Sequence, residues 1–303
     1  MAKIVEYLNP ITGAPEQVDQ LDHSAQEIDD AVDLAPQLSN PNLLDNWYFG
    51  NPVNQRGQTS YTVAGYGIDR WKTTNTVLTI LDNSIKLTSA SDYQNFVQII
   101  DNAKRLAGKT VTISFLYKST VSSSYFRFFI NGSWTGYLQF VKSAEWKLAK
   151  MTYTFGSDLT SLSAGISLMT NGDIELQAVK LELGTTQTLA HQDADGNWVL
   201  NEIPNYGEQL RQCQMYARFG HIRAVFSQIT GNARMYVPLS SIQPPMRSAP
   251  SVTYTNIRSY TDGTNCTKIN QFGSEVDILP GFTISTDVTD NVLQLDYSAI
   301  SDL

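Results

Sequence analysis

The sequence predicts a mainly β protein. It reads as a jelly-roll-like antiparallel β-sandwich and a second, smaller antiparallel β-domain, with a short N-terminal helix and a helix linking the two β-domains. Three observations predict it. Between Asn42 and Gly184, short runs of alternating apolar and polar residues follow one another, most of them parted by Gly, Asn and Ser clusters; that is the pattern of a two-sheet sandwich. No strand–helix–strand alternation is visible, which argues against a parallel-sheet nucleotide fold. The chain, at 303 residues, is long for a single core, so four segments are expected: 1–40, 41–185, 186–220 and 221–303.

In chain order, residues 1–20 contain Asn9-Pro10, Thr12-Gly13 and Ala14-Pro15 and read as irregular. Leu21, Ala25, Ile28, Val32 and Ala35 then recur with the spacing of a heptad seam, next to acidic Asp22, Glu27, Asp29, Asp30 and Asp33. Two heptads make a marginal helix in isolation, so the segment needs a partner. That partner is either the rest of its own chain or two further copies in a three-chain bundle. Pro36 and Pro41 close it as a linker.

The sandwich opens on a hairpin, with 77–81 and 84–88 joined through Asp82-Asn83. Runs at 96–100, 110–117, 125–130, 136–141, 146–155, 164–169 and 174–183 follow. The last alternates through Ile174, Leu176 and Ala178 and slips phase at Val179, the mark of a bulge. Asp193-Ala-Asp-Gly-Asn-Trp198 supplies a hairpin turn, with Gly196 free to take positive φ. Asn205 is placed to cap a helix, Glu208 to close a capping box, and Gly220 to end the helix. Tyr206, Leu210, Cys213 and Ala217 would share one helical face. Beyond it, 224–229, 233–239, 251–259, 267–272, 276–279, 282–285 and 292–297 read as strands, with Pro244, Pro245 and Pro250 confined to loops or edges.

Composition removes several functions. A net charge of −8 is the wrong sign for a nucleic-acid partner, and no run approaches the ~20 apolar residues of a membrane helix. Cys213 and Cys266 are too few for a disulfide framework, and Cys213 reads as a small buried hydrophobe. His23, His191 and His221 are scattered and no Gly-x-Ser-x-Gly elbow occurs, which argues against Ser-His-Asp hydrolysis. Phosphate-cradling glycine loops are absent as well. Asp92, Glu145, Asp158 and Asp173 read as solvated turn residues, although glycoside hydrolysis needs only two carboxylates. Asp193-Ala-Asp-Gly-Asn197 has alternating oxygen ligands, but Pro204 stands where a calcium loop needs its glutamate, so a hairpin turn is the better reading.

The aromatics carry the strongest signal. Sugar rings offer C–H faces to aromatic rings and hydroxyls to a few convergent polar groups. Tyr125-Phe-Arg-Phe-Phe-Ile-Asn-Gly-Ser-Trp-Thr-Gly-Tyr137 interleaves both kinds. Phe126, Phe128 and Ile130 would face one side, and Tyr125, Arg127 and Phe129 the other; Trp134 and Tyr137 would flank the turn. The candidate sugar contacts are Trp134, Tyr137, Asn131 and Arg127, with Tyr66 and Trp71 from a second loop cluster that includes Tyr61. Phe126, Phe128, Trp146 and Tyr153 read as core.

Leu181-Glu-Leu-Gly184 followed by Tyr206-Gly-Glu-Gln-Leu-Arg-Gln-Cys-Gln-Met-Tyr216 resembles a junction of bacteriophage and prophage tail-fibre (receptor-binding) proteins. There a carbohydrate-binding-module-like β-sandwich meets a short helix. Asn42-Leu-Leu-Asp-Asn-Trp-Tyr-Phe49 with Asn51–Gly57 is similar to the entry of that module, and Pro244–Val252 to a stretch of the C-terminal domain. The resemblance covers residues 40–255. It implies a non-catalytic protein of the virion that attaches to host-cell surface glycan (polysaccharide). The first 40 residues would join other tail proteins and tie a homotrimer, whose packing would hide the strand edges of the C-terminal tip. No cofactor is implied; many such modules hold a structural calcium, for which no residue pattern here assigns ligands. Met1–Tyr7 lacks the apolar core of a signal peptide, as expected of a virion part made in the cytoplasm. A tail polysaccharide depolymerase and a purely structural tail or baseplate component are the alternatives.

Overall fold

The computed structural model describes residues 5–8, 15–18, 40–89, 94–121, 124–169, 171–229, 233–235, 246–248, 250–260, 282–284 and 288–301. The chain divides into two compact units, 1–39 and 40–303. In the first, β1 (Val5–Leu8) pairs antiparallel with β2 (Pro15–Val18), Val5 opposite Val18 and Leu8 opposite Pro15. This corrects the irregular reading of residues 1–20. Asn9-Pro10 and Thr12-Gly13 fall between the strands, and Pro15 takes a strand's first position, where a missing N–H is tolerated. The expected heptad helix at 21–35 lies outside the described residues.

The second unit holds the sandwich, and its strands are numbered along the chain. One six-stranded sheet runs β11 (Ser133–Phe140), β10 (Ser124–Ile130), β13 (Leu162–Leu168), β8 (Gln94–Ile99), β5 (Lys72–Thr74), β4 (Gly65–Tyr66). The other runs β12 (Ser143–Thr154), β9 (Thr110–Ser119), β14 (Gly172–Leu183), β7 (Ile85–Ser89), β6 (Val77–Ile80), β3 (Ser60–Tyr61). Every pairing in both is antiparallel.

Alternation in the strands builds the core between the sheets. Phe96, Phe126, Phe128, Ile166, Ile85 and Leu87 all point into it. Trp71 stacks on Phe96 at 4.6 Å and 11°, and Phe49 stands edge-on to both. At the other end Phe126 meets Phe128 at 4.8 Å and Phe115 at 5.0 Å. Full burial of such a ring contributes roughly 1.5–3 kcal/mol, so this aromatic layer is the main cohesive element of the unit.

The outer face of the second sheet is roofed. In β14 the register shifts between Leu176 and Ala178, which places the expected bulge at Gln177, just before Val179. Past it both faces of the strand are buried, because the hairpin β15 (Ala190–Gln192) and β16 (Trp198–Leu200) follows directly. Lys180, 0% exposed, donates to Glu202 Oε1 at 2.7 Å, and Glu182 accepts from the amide and hydroxyl of Thr188. The hairpin turn is as read: Asp193 Oδ1 accepts from the amides of Asp195 and Asn197, and Gly196 takes φ +81. The amide of Asn197 is the main cause holding the Asp193 carboxyl below its ordinary range.

Helix α1 (Tyr206–Cys213) is capped by Asn205, whose Oδ1 accepts from Glu208 N at 3.1 Å. The capping box does not close. The Glu208 carboxylate is taken by Arg211, at 2.7 Å from Nη2. Nor does the helix reach Gly220: it ends at Cys213, and β17 (Ala217–Ile229) begins. Tertiary contacts draw the chain out of the helix there. The Tyr216 ring lies 3.4 Å from the Arg70 guanidinium, its hydroxyl donates to Asp101, and its carbonyl accepts from Ser301. Gly220 sits opposite Tyr297, and a Cβ there would lie 2.5 Å from that ring, so this glycine serves a close approach and not a helix end. Cys213 is fully buried, as expected, and burial pushes its thiol pKa up.

The smaller β-domain pairs β17 with β21 (Val288–Ile300), which also pairs with β19 (Ser251–Tyr260). Separately, β18 (Ala233–Met235) pairs with β20 (Phe282–Ile284). Expected strands at 267–272 and 276–279 lie outside the described residues, as does 236–239. An ion pair ties this part to the sandwich, Arg247 to Asp101 at 2.9 Å, beside Arg70, which pairs with Asp45 within the sandwich at 2.9 Å.

Gly165 of β13 tests the packing. A Cβ there would lie 2.5 Å from the carbonyl oxygen of Phe96 and 2.4 Å from Val97 Cγ1. Gly165→Ala is expected to destabilise the fold by ~2–3 kcal/mol, seen as a lower midpoint in urea unfolding with an unchanged slope.

Candidate functional site

The outer face of the first sheet is open among the described residues. Since Phe96, Phe126, Phe128, Ala164 and Ile166 point into the core, the pleat sends their neighbours outward. The pairings arrange these in transverse rows. One row runs Tyr66, Lys72, Val97, Gly165, Arg127, Tyr137. Beside it lies Thr74, Asn95, Ser167, Tyr125, Gln139. On the other flank lies Ile99, Ser163, Phe129, Trp134. At strand spacing of ~4.8 Å the first row crosses about 24 Å of surface. Its middle is low, being Val97 and Gly165, and its ends are aromatic.

A glycine bulge brings the aromatics together. Trp134 and Tyr137 are three residues apart in β11, which in a regular strand puts them on opposite faces. The register shifts here: Arg127 pairs with Tyr137 and Phe128 with Thr135, leaving Gly136 extra at φ +66. Both rings therefore stand on the outer face, in the strand and not flanking the turn. Tyr137 is 62% exposed and meets Tyr125 edge-on at 6.2 Å, and Trp134 packs on Phe129 at 5.0 Å. The Tyr137 ring is the more exposed of the two, since Trp134 also carries the Arg127 guanidinium.

Polar groups are preorganised beside them. The Arg127 guanidinium lies 4.6 Å from the Trp134 ring and 5.9 Å from Tyr137. Its Nε and Nη2 donate to Ser167 Oγ at 3.1 and 2.7 Å. Ser167 Oγ in turn donates to Asn95 Oδ1, and Asn95 Nδ2 donates to Thr74 Oγ1 at 3.3 Å. This relay crosses four adjacent strands in one direction, fixing each rotamer. At the end of the third row a cleft of about 450 Å³ opens, lined by Ile99, Phe129, Ser163, Asp101, Lys104 and Arg247.

Of the residues expected to form the site, Arg127, Trp134 and Tyr137 are adjacent, and Tyr66 stands at the far end of the Arg127 row. Two are elsewhere. Trp71 is 2% exposed, with its indole N–H donating to Asn46 O at 3.0 Å, so it is core and its ring has no free face. Asn131 holds a turn: its Oδ1 accepts from Thr160 N, Thr160 Oγ1 and Ser161 N, and its Nδ2 donates to Asp158 O. Tyr61, from the same loop reading as Trp71, is also buried. Sequence reasoning missed Tyr125, Thr74, Asn95 and Ser167, which come from four strands. The alternation Ser163-Ala-Gly-Ile-Ser167 was the available signal for the last of these.

The carboxylates considered for hydrolysis are dispersed. Glu145 lies in β12, Asp158 in the loop after it, and Asp173 in β14 accepting from Thr88 Oγ1 at 2.7 Å; Asp92 lies outside the described residues. Among the described residues no group of three or more His, Cys, Asp or Glu side chains is placed to hold a metal ion.

No protein-family model matches this chain, and no curated protein matches it. Among solved structures it is similar to a carbohydrate-binding module described under "CBM4 structure and function", at 22% identity, over 46% of this chain and 99% of that one, with a TM-score of 0.35. It is similar to the C-terminal family 22 carbohydrate-binding module of Clostridium thermocellum Xyn10B, at 12% identity, over 38% of this chain and 85% of that one, TM-score 0.30. It is also similar to the enzymatically active domain of Bacteriophage CBA120 tailspike protein 4, at 13% identity over 47% of this chain, TM-score 0.32; that match spans 21% of the tailspike chain. These are likenesses of strand arrangement over less than half of this chain.

The turn and the face are separable by mutation. Asn131→Ala is expected to lower stability by ~1–3 kcal/mol, through unpaired turn amides and strain at its positive φ. The rows on the outer face would stay in place. Thermal unfolding checks the first outcome, and unchanged near-ultraviolet dichroism of the remaining folded protein the second.

Proposed function

We propose that this protein is a non-catalytic glycan-binding protein that serves as the receptor-contacting part of a bacteriophage or prophage tail. The outer face of the β4–β5–β8–β13–β10–β11 sheet would hold the sugar. One observation carries the reading: Tyr137 and Trp134, raised on one face by the Gly136 bulge, stand beside the Arg127–Ser167–Asn95–Thr74 relay. A sugar ring laid on the Tyr137 face buries its C–H side, and its hydroxyls exchange hydrogen bonds with the relay and Gln139. Because the relay is already ordered, little rotamer entropy is lost on binding.

The tail assignment is supported by the resemblance of Leu181–Tyr216 and Asn42–Gly57 to tail-fibre junctions. Assembly as a trimer through residues 21–35 would multiply a weak single site into firm attachment, since the second and third contacts become intramolecular.

Labelled full-length protein is expected to stain the host's cells, and periodate oxidation of surface glycans to abolish the staining. Tyr137→Ala and Trp134→Ala are each expected to weaken binding by at least about tenfold, ~1.4 kcal/mol, without a fall in melting temperature for the exposed Tyr137. Full cell binding by a folded Tyr137→Ala/Trp134→Ala double variant would move the contact surface elsewhere.

A further inference from the structure

The open face is charged in a sense opposite to the protein. The chain carries 29 acidic and 21 basic residues. Yet the six strands β4, β5, β8, β13, β10 and β11 contain no Asp or Glu, and their only charged residues are Lys72 and Arg127. Both lie in the same transverse row, three strand steps apart, about 14 Å. The second sheet, by contrast, has Glu145, Asp173, Glu175 and Glu182 among its lysines.

Arg127 differs from three other cations of the molecule, each of which stands against a carboxylate. Arg56 has Asp69 at 3.1 Å, Arg70 has Asp45 at 2.9 Å and Lys180 has Glu202 at 2.7 Å. Arg127 is 8% exposed, and its hydrogen bonds go to the neutral Ser167; among the described residues no carboxylate pairs with it. Removing a cation from water without an anion is costly, and two aromatic rings and a hydroxyl offset only part of that. An arriving anion would be held by charge-assisted hydrogen bonds, the strong kind. Lys72 is exposed in the same row, and Lys104 lines the cleft at the end of the next.

We propose that this face selects an anionic glycan, one whose carboxylate or phosphate groups sit beside Arg127 and Lys72 while a neighbouring sugar ring stacks on Tyr137. This deepens the glycan-binding reading and rests on it. The neutral part of the ligand supplies contact area, and the anion supplies selection: a neutral polymer leaves Arg127 uncompensated, which is discrimination against it.

The test uses the full chain in affinity electrophoresis and calorimetry against matched polymers. These are polygalacturonate and its carboxyl-reduced form, a glucan carrying phosphomonoester groups and its phosphatase-treated form, and the host's own surface polysaccharide before and after each treatment. Wild type is expected to bind an acidic member at least about tenfold more tightly than its neutral counterpart, with affinity falling as salt rises. Loss on carboxyl reduction assigns the anion as a carboxylate, and loss on dephosphorylation as a phosphate. Arg127→Gln is expected to remove the preference, and Arg127→Lys to restore it in part, lacking the planar fork. Should Arg127→Gln fail to fold, Lys72→Gln at its exposed position is expected to lower acidic binding several-fold more than neutral binding. Equal affinity for acidic and neutral partners overturns the charge selection and leaves glycan binding standing. Binding to no member of the panel, host polysaccharide included, overturns both.

Discussion

The period of two in β10 is the constraint on which the site depends. Phe126 and Phe128 are held between the sheets by Phe115, Phe155 and each other. Their burial leaves Tyr125, Arg127 and Phe129 no direction but outward. A one-residue slip of this strand would expose two phenylalanines and bury a guanidinium in the core, so the register is strongly specified. Site geometry here follows from core packing.

The two sheets are then put to different uses. The second carries a hairpin on its outer face, where Lys180 pairs with Glu202 and Glu182 accepts hydrogen bonds from Thr188. The first carries nothing among the described residues, and its sequestered charge, Arg127, is matched only by neutral groups. A buried unpaired charge is destabilising in the free protein. The relay through Ser167 and Asn95 limits the cost by fixing the guanidinium against Trp134.

The linking segment shows tertiary structure overriding local preference. The pattern from Tyr206 to Gly220 has the apolar spacing of a longer helix, but Tyr216 gains a cation–π partner, a carboxylate acceptor and an amide donor by leaving it. Those contacts outweigh the few tenths of a kcal/mol per residue by which helix propensities differ. They also connect α1, the small β-domain and the sandwich through the pair Arg70 and Asp101.

By itself the sequence determined the β class, the run of sandwich strands, the 193–197 turn, the Asn205 cap, the bulge near Val179 and the two faces of β10. All of these are local patterns of period, turn chemistry or capping, and each is readable within a dozen residues. It also marked Arg127, Trp134 and Tyr137, because aromatic and polar residues interleave within one stretch. Tertiary structure alone decided that Trp71 is core and Asn131 a turn anchor, since composition cannot distinguish a buried ring from a presented one. It decided that Gly136 forms a bulge that turns Trp134 and Tyr137 to one side. And it brought Thr74, Asn95 and Ser167 to Arg127 from strands far apart in the chain, because a sheet assembles a surface across strands and sequence reads only along them.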